Sequence, residues 1–254
     1  MAKVLFILLL LVPIQEKPDY PLKNGRPTTR GIDRYVEENA ERLLNEFQEF
    51  IGDTLYNANI YTEDLSENAE QNPLELGNYY PNEIFINNAE IFIAYELAAL
   101  NRSRRDTIIS TNLFVKAAVF HELMHHYIYQ LSIEMLRTDS IQVDRAYQSF
   151  FRIYSDRGDP GPRFIEEGIC EYATLKMKET IARRRPYIPK KVSDLSQPEN
   201  AYNIFYKYSA YSLTEFLDTT GLKQGMKILL HNRPPSTEEI LDPELFFARL
   251  EGIE

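Results

Sequence analysis

The stretch from Thr111 to Leu136 contains neither proline nor glycine, and its apolar residues Val115, Val119, Leu123 and Tyr127 recur every fourth position. That spacing keeps side chains on one face of a helix with 3.6 residues per turn. Thr111 and Asn112 are both good N-cap residues, so the helix is expected to start there and run towards Leu136. A helix this long with an apolar face must lie against other elements, so the chain needs a layered core.

Periodicity elsewhere supplies those elements. Ile32, Val36, Ala40, Leu43, Leu44, Phe47 and Ile51 recur at three- and four-residue steps with charged residues between them, which predicts an amphipathic helix. Further helical patterns cover 91–100, 139–154, 163–184, 202–217, 223–230 and 243–250. Glu83 to Asn87 alternates and predicts a short strand, and Thr107 to Ser110 predicts another. Residues 57–82 carry Asn, Pro, Gly and acidic residues and predict a loop region. The expected fold class is mostly α (α+β), with a small sheet before the long helix and one domain over 31–254. At 254 residues, 44% of them hydrophobic, the chain is long enough to bury a core of its own.

The N-terminus carries a separate signal. Met1-Ala2-Lys3 precedes an unbroken apolar run from Val4 to Val12, closed by Pro13. One positive charge followed by a short apolar segment predicts an export signal over 1–12, leaving the chain secreted, periplasmic or tethered. The run is too short for a membrane-spanning helix, which needs about 20 apolar residues. Residues 13–30 then predict a linker. The formal charge of -10 argues against nucleic acid as a partner, because phosphates repel an acidic surface. With Cys170 as its single cysteine, the chain can form no internal disulfide, and a small buried apolar role is expected for that residue.

The chemistry lies inside the long helix. Residues 121–125 read His-Glu-Leu-Met-His. Side chains at i and i+4 share a helix face, so His121 and His125 can address one ion. Two neutral imidazoles suit Zn²⁺, and one bound Zn²⁺ per chain is expected. Glu122, one residue off that face, is placed to take a proton from a metal-activated water as general base. Catalytic zinc usually keeps three protein ligands and one open position, so a third ligand must come from elsewhere. His231 is the only histidine outside 121–126, and a carboxylate is the better expectation. His126 lies about 140° around the helix from His121 and should pack or face solvent.

A second acidic cluster reads Glu166-Glu167-Gly168-Ile169-Cys170-Glu171-Tyr172. With His-Glu-x-x-His upstream, this Glu-Gly-x-x-x-Tyr pattern resembles the gluzincin class of zinc metallopeptidases. The resemblance covers 121–125 and 164–172 only. It implies a zincin-like helical domain, peptide or protein substrates, and His121, His125 and Glu167 as metal ligands, with Glu166 as the alternative third ligand. It further implies Glu122 as catalytic base and Glu171 as a residue behind the ligands, orienting a histidine. Gly168 would let two helices approach closely around the ion. Such peptidases often place a Tyr or His near the zinc, and Tyr202, Tyr206, Tyr208 and Tyr211 are the candidates here. The alternative is a non-catalytic, zinc-stabilised protein or a pseudo-peptidase used for binding.

Overall fold

A computed structural model describes residues 28–65, 77–88, 104–138, 160–177 and 187–252. The expected export segment at 1–12, most of the linker, and the helical patterns at 91–100 and 139–154 lie outside these residues. The described part is mostly helical with one three-stranded mixed sheet.

Helix α1 spans Thr29–Ile51. Thr28 caps it, its side-chain oxygen accepting the Gly31 N–H at 3.1 Å. The helix therefore starts inside the segment expected to be linker, because Thr28 satisfies an end donor that Ile32 could not. It stops at Gly52, whose φ of 64° is left-handed and costs glycine little. Its buried face is Ile32, Tyr35, Val36, Leu43, Phe47 and Ile51, so the apolar period holds throughout.

Strands β1 (Asn59–Glu63), β2 (Gly77–Tyr80) and β3 (Glu83–Asn87) follow. Their order is β1-β3-β2, with β1 parallel and β2 antiparallel to β3. Only β3 alternates strongly, burying Ile84 and Ile86. The other two strands fall in the segment expected to be loop. They are strands because they pair with β3; β1 alternates only between exposed and half-buried residues, and β2 hardly alternates.

Helix α2 spans Arg104–Thr138. It begins before Thr111 and takes in Thr107–Ser110, which was expected to form a strand. Four β-branched or small residues in a row favour strand locally, but here they simply extend the helix. The far side of α2 is tied to the turn after α1. Gln130 donates to Thr54 O at 2.9 Å and accepts from Tyr56 N–H at 3.1 Å. One turn earlier, His126 Nε2 lies 2.7 Å from Tyr56 O. A carbonyl only accepts, so His126 carries its proton on Nε2 and takes the Tyr79 hydroxyl on Nδ1 at 3.2 Å. Burial lowers the pKa of His126 despite its bond to Tyr56, which suits a neutral structural ring.

Helix α3 (Gly161–Met177) lies between α2 on one side and a later helical run on the other. That run begins after two short turns, α4 (Val192–Leu195) and α5 (Pro198–Ala201). It passes through a π-helical segment, Tyr202–Tyr208, into α6 (Ser209–Thr220). The Ser209 N–H bonds Ile204 O, five residues back, which is the wide-turn pattern. Helices α7 (Leu222–His231), α8 (Thr237–Leu241) and α9 (Pro243–Leu250) complete the described chain. One hydrophobic cluster joins α1, β3, α2, α3, α6, α7 and α9. No helix among the described residues is long and apolar enough to cross a membrane.

Candidate metal centre

The centre lies where α2 and α3 pack together. His121 and His125 project from one face of α2, their ring centroids 5.1 Å apart and nearly perpendicular. Glu167 reaches them from α3. Its Oε2 lies 3.3 Å from His121 Nε2 and 3.8 Å from His125 Nε2. With zinc–nitrogen and zinc–oxygen bonds of about 2.1 Å, neighbouring ligands of a tetrahedral site stand about 3.4 Å apart. The His121 distance matches that spacing and the His125 distance exceeds it by about 0.4 Å.

The other acidic neighbours divide the surrounding tasks. Glu166 Oε1 meets His125 Nδ1 at 2.9 Å, on the opposite side of the ring from Glu167. Glu166 is thus a hydrogen-bond partner of the histidine. Glu171 stands half-buried one turn beyond Glu167. At about 100° per residue, Glu166 and Glu167 flank the face that meets α2, and Glu171 falls about 40° past Glu167. Gly168 also differs in its use. A Cβ there would stand 2.8 Å from Ser209 Cβ and from Leu213 Cδ1, so the close approach is between α3 and α6, behind the centre.

Tyr206, from the π-helical segment, donates to Glu167 Oε1 at 3.0 Å. Its ring stacks on His121 at 5.7 Å with an 18° tilt. Of the four candidate tyrosines, Tyr206 thus bonds a residue of the centre. Tyr208 is buried edge-on against Phe164 at 5.9 Å, and Tyr202 and Tyr211 are exposed. Tyr79 of β2 stacks on His125 at 6.1 Å with a 10° tilt.

Glu122 is buried, at 6% exposure, beside the histidine pair in sequence but off its face. Its side chain lies against the backbone of β2. A Cβ on Gly77 would come within 2.7 Å of Glu122 Cγ and 2.8 Å of Oε1.

Charge is concentrated here. Burial would raise the pKa of Glu167, but hydrogen bonding from His121 and the charges of His125, His121 and Arg163 outweigh it and hold the carboxylate at about 2. Burial likewise acts to lower the pKa of His125, and contacts with Cys170 and Glu166 reverse the direction. Cys170 is fully buried at the same place. One ligand atom from each of His121, His125 and Cys170 lies within 4.8 Å of the others. Burial pushes the Cys170 thiol up to about 12 even though His125 draws it down.

Sequence reasoning did not single out Gly77, Tyr79 or the placement of Cys170. The first two come from the segment expected to be loop and carry no motif. Cys170 did carry a signal, since i+3 from Glu167 and i+4 from Glu166 share a helix face. Comparison with protein-family models, with curated proteins and with solved structures yields no match.

Proposed function

We propose that this chain is a zinc-dependent hydrolase acting on peptide bonds. The observation that carries the proposal is the approach of Glu167 Oε2 to within 3.3 and 3.8 Å of two imidazole nitrogens on one helix face, with Glu122 buried beside them. His121, His125 and Glu167 would hold one Zn²⁺ ion. Bound there, the ion supplies Lewis acidity that polarises a carbonyl and makes water a nucleophile near neutral pH.

The chain's own groups do the rest. Glu166 accepts from His125 Nδ1–H, which leaves the Nε2 lone pair turned towards Glu167 and His121. Tyr206 holds the other Glu167 oxygen and so fixes the direction in which Oε2 points. Glu122, pressed against Gly77, would accept a proton and return it to a leaving amine. The likeness to gluzincin peptidases belongs to this proposal, as does export through the Val4–Val12 segment.

The test is Glu122→Gln. Metal analysis should find one zinc per chain in both proteins. Hydrolysis of a fluorogenic peptide library should fall about 10²–10⁴-fold, the usual share of a general base. Loss of zinc in the variant, or unchanged turnover, refutes the assigned role. A second reading, a closed zinc site that only pins α2 to α3, is favoured by one observation: Cys170 offers a fourth donor. Bound zinc without turnover in the native chain would select it.

A further inference from the structure

We propose that Cys170 is itself a ligand of the ion at this centre, so that the resting metal is held by a thiolate together with His121 and His125. The inference rests on the preceding proposal that zinc binds the histidine pair. It goes beyond it by assigning a fourth protein donor and a softer ligand set.

Placement is the first argument. On α3, at about 100° per residue, Cys170 lies about 40° from Glu166 and about 60° from Glu167. It therefore occupies the middle of the face that both glutamates use to reach α2. Distance is the second. The candidate atoms of His121, His125 and Cys170 lie within 4.8 Å of one another. Zinc–sulfur and zinc–nitrogen bonds of about 2.3 and 2.1 Å separate the two donors by about 3.6 Å, so closure needs at most about 1.2 Å. Environment is the third. Cys170 is 0% exposed, and His125, Glu166 and Glu167 lie close enough to act on its thiol. Ligation breaks the S–H bond, sends the proton to solvent and forms the sulfur–metal bond.

Two consequences follow. With Glu167 bound as well, four protein donors would leave no open position, and hydrolysis would wait on release of Sγ. A thiolate also selects soft ions such as Zn²⁺ or Cu⁺ over Mg²⁺, Ca²⁺ and Mn²⁺.

X-ray absorption at the zinc edge of the zinc-loaded full chain decides the matter. One sulfur scatterer at about 2.3 Å is expected beside nitrogen and oxygen at about 2.0–2.1 Å. Cys170→Ala should retain zinc and lose that sulfur. Replacing zinc with Co²⁺ should give a near-ultraviolet sulfur-to-cobalt charge-transfer band, absent in the variant. Stoichiometric zinc with only nitrogen and oxygen neighbours overturns the thiolate ligand and leaves the His121–His125–Glu167 site standing. Failure of the native chain to hold zinc overturns both. If Cys170→Ala does not fold, the native spectrum still decides, through the presence or absence of sulfur.

Discussion

Gly168→Ala separates packing from propensity at the back of the centre. Inside a helix, alanine is better than glycine by about 0.5–1 kcal/mol. Position 168 reverses that gain. The new Cβ would stand 2.8 Å from Ser209 Cβ, Ser209 Oγ and Leu213 Cδ1. Carbon atoms settle at about 3.5–4.0 Å, so α3 and α6 must part by about 0.7 Å. Leu213 can move its methyl, but Ser209 Cβ is fixed to the backbone, and Ser209 Oγ is engaged with Phe205 O. Overpacking of this kind costs about 1–3 kcal/mol, which leaves a net loss of about 1–2 kcal/mol after the propensity gain. In metal-free protein, urea unfolding should show the midpoint lowered by about 0.5 M, taking m at about 2–3 kcal/mol/M. The same substitution in a Ser209→Gly background should cost less, because the rigid obstacle is gone. A Gly168→Ala protein as stable as the native chain, or equal costs in both backgrounds, would refute the claim that these helices touch through the glycine.

Two other outcomes are expected. Gly77→Ala should force Glu122 aside by about 0.8 Å, given a 2.7 Å approach to Cγ; at about 10²-fold per ångström of misplacement, peptide turnover should fall tens of times while zinc content stays constant. Unchanged turnover would separate Glu122 from the strand. At the other end of the chain, Glu239 accepts from Arg249, from Ser236 N–H and from Arg233, and these outweigh its burial to hold its carboxyl at about 2. A depressed carboxylate stabilises the fold above its unfolded pKa near 4.5 and loses that contribution as pH falls towards 2. Glu239→Gln should therefore unfold more easily at neutral pH, by about 1–3 kcal/mol, and show a flatter loss of stability between pH 5 and 2. Parallel pH–stability curves for the two proteins would contradict this.

Periodicity made α1 legible, since it buries a regular stripe that a sequence can display; α2, buried on nearly every side between 117 and 132, was legible by its length without proline or glycine. It failed where neighbours decide. Thr107–Ser110 has strand-forming residues yet lies in a helix, and Gly77–Tyr80 has weak ones yet pairs with β3. The candidate centre was legible as far as helix spacing reaches. His121 and His125 follow from one face of one helix, with Glu122 one residue off it. The choice between Glu166 and Glu171 behind His125 does not, because it depends on how far α3 is rolled against α2. That rotation is set by contacts such as Gly168 on Ser209, which join residues 41 positions apart.

The wide turn at Tyr202–Tyr208 has a consequence for how this protein tolerates change in length. A π segment accommodates one more residue than an α-helix over the same rise, so it shifts the phase of everything on either side. Tyr206 can therefore meet Glu167 while Ser209 and Leu213, on the continuation of the same rod, meet Gly168. Removing a single residue here would let the backbone relax into an ordinary helix. The two groups of contacts on α3 would then compete for one orientation.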